Sequence, residues 1–297
     1  MFHSMHIYPL MQYYSNWLTF KRKKGTLIVK KGGNIMKNNL KEKLAAGSKA
    51  IGTFFEIGGE TAVEGLGYTG LDYIIIDTEH GPFEVESTMG LIRAAELKEL
   101  TPLVRIKDVS RPSVLKNLDI GAMGLVVPCV ETVEEAKSLV EWAKYYPVGK
   151  RGFFTARKAG FGHEGFAKNV MEYFQTCNRE TLLIPQCETR GCLDNIEAIA
   201  ALDGVDGIFI GPYDLSIGLG IPAQFDDPLF KEAIARILKA CRDNNKLSFI
   251  FTVDPAMAMG YFEQGFDSVT ISTDMAFYIS GVKAMVGGIK NKEGWKW

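Results

Sequence analysis

The chain lacks the cysteine content of a disulfide-built fold. Its five cysteines, Cys129, Cys177, Cys187, Cys192 and Cys241, are odd in number and sit mostly inside apolar or helical patterns, unlike the dense framework of a small secreted domain. They read as reduced thiols, which predicts a cytoplasmic protein. Cys187 and Cys192 have no second Cys or His pair to complete a zinc site, so packing is the better account of both. An excess of either charge is also missing, since 34 Lys and Arg stand against 35 Asp and Glu. Such a balance argues against nucleic acid or an anionic membrane surface as a partner. A long apolar run is absent too. Residues 1–20 are rich in aromatics and Met but are interrupted by Gln12, Ser15 and Asn16, whereas a spanning helix needs about 20 predominantly apolar residues. The basic cluster Lys21-Arg-Lys-Lys24 follows this stretch, and a secretory signal carries its positive charge first. No Gly-rich dinucleotide fingerprint is present. No lysine takes an obvious Schiff-base position in a strand run, Lys107 being nearest, which counts against a covalent lysine aldolase.

What is present is a chain of 297 residues, 46% apolar, a length that suits one α/β barrel of roughly 250 residues. Residues 1–35 read as a non-native or disordered extension. Lys31-Gly-Gly-Asn-Ile35, just before Met36, can be encoded by a purine-rich run resembling a bacterial ribosome-binding site. The expected single domain is therefore 36–297.

From Lys41 onward, short β-branched runs alternate with amphipathic segments, the pattern of a wound α/β fold. Strands are expected over Ala50–Ile57, Tyr73–Asp77, Pro102–Ile106, Gly124–Pro128, Leu182–Gln186, Gly207–Ile210, Ser248–Val253 and Ser268–Ile271. Helices are expected at Glu60–Leu66, Glu84–Leu97, Pro112–Asp119, Val133–Tyr145, Leu193–Ala201, Pro228–Asn244, Pro255–Gln264 and Met275–Ile289. Pro112, Pro228 and Pro255 suit first turns, and Gly121, Gly204 and Gly265 suit left-handed turns after helices. Eight evenly spaced units favour a closed (β/α)8 barrel over an open doubly wound sheet. Tyr146–Gly165 breaks the rhythm with a long Gly-rich loop, followed by an extra helix near Phe166–Cys177. Long loops inside domains are often functional, and Arg151, Arg157 and Lys158 there either bind an anionic substrate or are simply solvated.

In a barrel, only strand C-termini and the loops after them face the active site. Tyr73-Ile-Ile-Ile-Asp-Thr-Glu-His80 ends a core run in two acids and a histidine, whose imidazole titrates nearest neutrality. The same filter selects Asp77, Glu79, Arg105, Gln186, Glu188 and Gly211-Pro-Tyr-Asp214. Glu188 and Asp214 offer hard oxygens to Mg²⁺ or Mn²⁺. Arg105 offers a planar fork for an oxyanion, His80 a proton acceptor, and Asp77 a group to orient that histidine. Metal, base and guanidinium together suit chemistry through an enolate. Each residue also has a plainer account: helix capping or a turn for Asp214, a structural imidazole for His80, a barrel ion pair for Arg105, backbone satisfaction for Gln186. Asp119, at a helix end, has the weakest independent case.

Seven motifs in order, Ile76-Asp-Thr-Glu-His-Gly-Pro82, Pro102-Leu-Val-Arg105, Leu118-Asp-Ile-Gly121, Leu125-Val-Val-Pro128, Lys150-Arg-Gly152, Gln186-Cys-Glu-Thr-Arg190 and Gly207-Ile-Phe-Ile-Gly-Pro-Tyr-Asp-Leu-Ser216, make Lys41–Gly288 resemble the HpcH/HpaI family of metal-dependent class II pyruvate aldolases. The resemblance implies reversible cleavage of a 4-hydroxy-2-oxo acid to pyruvate and an aldehyde, with Mg²⁺, Mn²⁺ or Co²⁺ as cofactor. It implies His80 as base, Asp119 raising its basicity, Arg105 stabilising the transition state, and Glu188 and Asp214 as metal ligands. Gln186 and the main chain at Tyr213 and Asp214 would contact the pyruvate part. It further implies a homo-oligomer, hexamer or dimer, with a C-terminal helix exchanged between neighbours. Tyr213, the loop Phe153–Gly162 and Thr252-Val-Asp-Pro255 depart from the family pattern, which points to a different aldehyde half. An acyl-thioester lyase like the citrate lyase β-subunit and a catalytically idle ligand-binding barrel are the competing readings. For the start at Met36, the intact mass of the native protein is the check: a mass that includes Met1 would refute it.

Overall fold

Two-residue alternation inside each β-branched run decides the architecture, because it gives every strand one face for each of two cores. A computed structural model of the chain describes residues 18–23, 26–31 and 36–291. Eight parallel strands close into a barrel, here numbered β1 (Ala50–Phe55), β2 (Tyr73–Asp77), β3 (Thr101–Arg105), β4 (Gly124–Val127), β5 (Leu182–Cys187), β6 (Gly207–Ile210), β7 (Leu247–Thr252) and β8 (Ser268–Thr273). Closure is made by β8 on β1, with Ser268 beside Ala50 and Val269 beside Ile51. The expected (β/α)8 barrel is the observed fold, and all eight expected strands are found. Part of the N-terminal extension lies outside the described residues. Within it, Leu18–Lys23 and Thr26–Lys31 pair as a separate two-stranded antiparallel sheet.

On β2 the alternation is clear. Tyr73 and Ile75 join the barrel interior with Phe54, Leu103, Ile184, Phe209 and Phe249, while Ile74 and Ile76 pack outward against the helices. Asp77 therefore continues the inward row at the C-terminal mouth. Below it, Tyr73 fills the interior and its hydroxyl bonds Ser268 (2.9 Å) and Thr270 (2.7 Å), so the barrel centre is packed rather than open.

The helices carry the expected punctuation. Pro228 and Pro255 open their helices at the first position and Pro112 follows Arg111 into the first turn, while Gly121 and Gly265 end theirs at φ 115° and 104°. Three elements differ from expectation. Asn39–Ala45 is helical, although only Leu40 and Leu44 mark an apolar face. Tertiary contacts hold it: Asn38 caps the helix, accepting from the Lys41 N–H at 3.1 Å, and its amide donates to the Met123 and Glu180 carbonyls. Both leucines then close the N-terminal end of the barrel. The segment expected at Leu193–Ala201 is two short helices meeting at Asn195. Pro212–Gly218, absent from the expected helices, is a helix that places Asp214 in its first turn.

The long loop is corrected in both place and role. It joins the helix Val133–Ala143 to β5, so it lies at the N-terminal end of the strands, away from the mouth. Arg157 and Lys158 both pair with Glu96, and Arg151 pairs with Asp119 at 2.7 Å. Arg151 is buried and stacks over the Tyr145 ring. These cations are neither solvated nor aimed at a substrate within this chain. Burial alone would raise the Glu96 carboxyl, but Arg157 and Lys158 outweigh it and hold the group below its ordinary value. A carboxyl depressed in the fold stabilises above its unfolded value and loses that contribution as pH falls through the folded one. Glu96→Ala leaves two half-buried cations unpaired, so a loss of about 1–3 kcal/mol is expected. Denaturant midpoints at pH 7 should show it, the gap from wild type should shrink on acidification below the ordinary carboxyl value of about 4.3, and amide exchange should quicken in residues 151–165.

Candidate active site

Register brings the first two site residues together. Asp77 at the end of β2 lies directly beside Arg105 at the end of β3, and both side chains turn into the mouth. Asp77 is fully buried. Its carboxylate accepts from Arg105 Nε at 2.9 Å and Nη2 at 2.5 Å, the two-pronged geometry that only a guanidinium supports. The same Asp77 oxygen that meets Nε also accepts the N–H groups of Glu79 (3.1 Å) and His80 (3.3 Å). Asp77 therefore orients Arg105 and the turn that carries His80, rather than the imidazole itself. Glu79 supplies the next contact, 3.2 Å from Arg105 Nη1 and 4.0 Å from His80 Nε2. Phe54 lies under the guanidinium, 4.6 Å from ring centre to Cζ. His80 stands at the rim with its side chain 71% exposed, open to an incoming substrate.

Across the mouth, the end of β5 and the turn after β6 carry the second group. Glu188 is buried; one of its oxygens accepts the Cys129 N–H at 2.8 Å and the other accepts from the Gln186 amide. Burial pushes the Glu188 carboxyl up to about 7, Asp214 and Glu79 add to the rise, and the Cys129 N–H and Arg105 oppose it. Arg105 is itself held above its ordinary value, because its pairing with Asp77 and the charges of Glu79 and Glu188 outweigh the cost of burial. Arg105, Gln186, Gly211, Tyr213 and Asp214 line one cavity of about 190 Å³. Gly211 has to be small: a Cβ there would stand 2.7 Å from a Glu188 oxygen and 3.3 Å from the Gln186 amide nitrogen.

Glu188 and Asp214 fit a hard divalent cation. The buried Gln186 Oε1 has no donor among the described residues, and the Glu188 carboxylate is crowded by like charges that a cation would offset. Among the described residues, no cluster of three or more His, Cys, Asp or Glu is arranged to hold an ion. Two carboxylates would therefore leave most of an octahedral shell to water and substrate, as Mg²⁺ and Mn²⁺ prefer. Cys187 and Cys192 are buried in the outer core and belong to packing. Lys107 is at the surface, 3.3 Å from Glu84, and takes no part.

Asp119 does not join this group within one chain. It sits in the last turn of the helix Arg111–Ile120, which runs back along β3, and its partner is Arg151. Its helix ends beside the N-terminal end of the strands, whereas His80 follows the C-terminal end of β2.

Comparison with known proteins now has a geometry to explain. Residues 51–281 match HpcH/HpaI aldolase/citrate lyase. The chain belongs to the HpcH/HpaI aldolase/citrate lyase family. This family member is 33% identical over 250 residues to the hydroxypyruvate/pyruvate aldolase of Roseobacter denitrificans, covering 84% of this chain and 95% of that protein. It is 32% identical over 259 residues to the 5-keto-4-deoxy-D-glucarate aldolase of an Enterobacter species, covering 86% and 98%. The crystal structure of an HpcH/HpaI aldolase from Desulfitobacterium hafniense superposes with a TM-score of 0.81 at 32% identity, covering 87% of this chain and 99% of that one. No described helix of this family member is long and apolar enough to cross a membrane.

Two groups at the mouth escaped sequence reasoning. Glu56 follows β1 and carries no motif. Cys129 contributes its main chain, and its φ of 54° is a left-handed conformation that side chains other than glycine adopt at a cost. That turn aims the Cys129 N–H at Glu188. Cys129→Gly should keep the contact, whereas Cys129→Val, β-branched and strained at positive φ, should move it. Mn²⁺ titration calorimetry on the two folded variants is the measurement, with affinity expected to fall roughly tenfold in the valine variant alone. Equal affinity in both would refute the positioning role.

Proposed function

We propose that this family member is a divalent-metal-dependent lyase that reversibly cleaves a 4-hydroxy-2-oxo acid to pyruvate and an aldehyde. The observation that carries the reading is the shared cavity of about 190 Å³, lined by Arg105, which Asp77 locks, and by Gln186 and Asp214, with Glu188 bonded to the Gln186 amide behind it. Glu188 and Asp214 would hold the ion, with Mg²⁺, Mn²⁺ or Co²⁺ suited to their oxygens. Bound there, it would supply Lewis-acid polarisation of the 2-oxo group. Gln186 and the main chain of Gly211–Asp214 position the pyruvate half.

His80 takes the proton from the C4 hydroxyl. The C3–C4 bond then breaks, C4 leaves as the aldehyde carbon, and the electron pair remains with the pyruvate half as its enolate, which takes up a proton at C3. Arg105 meets the negative charge that develops on that half. Its orientation is set before substrate arrives, so little reorganisation is needed in the transition state. Glu79 lies between Arg105 and His80 and couples their charges. Asp119 raises the basicity of His80 only when a second copy of the chain brings it to the mouth, and for that reason the functional unit is a homo-oligomer.

The experiment is pyruvate release from a panel of 4-hydroxy-2-oxo acids with Mg²⁺, Mn²⁺ and Co²⁺. His80→Ala should lower kcat by about 10²–10⁴-fold while Mn²⁺ still binds by calorimetry. Glu188→Ala and Asp214→Ala should weaken Mn²⁺ binding itself by roughly tenfold or more. Mixing inactive His80→Ala and Asp119→Ala chains should restore part of the activity, because some sites then combine an intact residue of each kind. Equal metal loss in all three site variants would contradict the division of roles, and a folded, metal-binding protein silent across the panel would contradict the reaction.

A further inference from the structure

Glu56 is an acid in the mouth to which the reaction above gives no task. It directly follows β1, and register places it at the level of Asp77, because Phe54 and Phe55 lie beside Ile75 and Ile76. It continues the inward row of Phe54 and lines the same cavity as Arg105, Gln186 and Asp214. Its main chain is clamped: the Glu56 N–H donates to both oxygens of the buried Asp274 at 3.0 Å, and the Ile57 N–H donates to one of them at 2.9 Å. The carboxylate has no hydrogen-bond or ion-pair partner among the described residues. The main chain is fixed and the carboxylate is an unpartnered acceptor.

The barrel order says which part of a substrate it would meet. In an eight-stranded barrel, β1 stands opposite β5, whose end carries Glu188. A 2-oxo acid whose pyruvate half sits against Glu188 and Asp214 extends its other half across the mouth towards His80, after β2, and Glu56, beside it. Arg105 is the one cation lining the cavity among the described residues, and Asp77 and Glu79 already match its charge. No described cation is left there for a second carboxylate. Burial raises the Glu56 carboxyl, as do Asp77 on the neighbouring strand and Asp274 at its main chain, while Arg105 and His80 oppose the rise.

We infer that Glu56 sets the specificity for the aldehyde half: it selects 4-hydroxy-2-oxo acids whose departing aldehyde is neutral and hydroxylated, and it disfavours those whose aldehyde carries a second carboxylate. Hydroxyls of the departing half donate to the carboxylate, whereas a like charge beside it is repelled. The inference rests on the aldolase reading.

The test compares kcat/KM for a monocarboxylate, 2-keto-3-deoxy-L-rhamnonate, and a dicarboxylate of equal chain length, 5-keto-4-deoxy-D-glucarate, in wild type, Glu56→Gln and Glu56→Ala. The quantity read is the dicarboxylate-to-monocarboxylate ratio, in which stereochemical differences between the two acids are common to all three proteins. Wild type should favour the monocarboxylate, and the ratio should rise about tenfold or more in both variants. High salt should narrow the wild-type preference. A wild-type preference for the dicarboxylate, or a ratio that stays constant across the three proteins while pyruvate is released, overturns the role of Glu56 and leaves the aldolase reading intact. No pyruvate from either acid in the metal-loaded wild type overturns both. Circular dichroism of each variant establishes that it is folded.

Discussion

The two-pronged contact between Asp77 and Arg105 is the constraint around which the mouth is organised. A guanidinium in a half-buried site needs a matched anion, and the β2–β3 register supplies one at the same level. Asp77 is fully buried, so the pair behaves as a rigid unit set into the barrel wall. From it the remaining geometry follows. The Asp77 oxygen that meets Arg105 Nε also gathers the N–H groups of Glu79 and His80, so the turn bearing the imidazole is fixed by the same group that aims the arginine.

The opposite side of the mouth shows the complementary state, with charge left unbalanced. Glu188 is buried among carboxylates and held by a main-chain N–H and an amide, an arrangement costly without a cation. A site that is satisfied at Asp77 and Arg105 and electron-rich at Glu188 and Asp214 separates two tasks. In the proposed reaction one side meets developing charge, and the other would hold a cation and the 2-oxo acid. Glu56, on the strand facing Glu188, adds a third element that acts on substrate choice.

The two ends of the barrel divide the labour differently from what loop length suggests. The long segment after Val133–Ala143 has the look of an active-site loop because it is Gly-rich and basic. Its position between a helix and the next strand sends it to the stable end, where Arg157 and Lys158 close on Glu96 and Arg151 closes on Asp119. Composition marks such a loop as unusual, yet connectivity decides which face it occupies.

Much of this was legible in the residues. β-branched runs of four to six residues, prolines in first turns and glycines at left-handed helix ends leave few folds other than eight βα units, since each signal acts over a few residues and needs no distant partner. The same local logic placed Asp77, His80, Arg105, Glu188 and Asp214 at strand ends. Three matters were settled by the tertiary structure. Asn39–Ala45 is a helix because Leu40 and Leu44 find the open end of the barrel, which no local pattern encodes. The partner of Asp77 is Arg105 rather than the imidazole, because register sets which side chains share a level. Glu56 and the Cys129 main chain enter the site because closing the sheet sets β1 across from β5 and turns one peptide N–H onto Glu188. Residue types and their period are carried by the chain itself, whereas facing relations among distant segments come into existence only when the barrel closes.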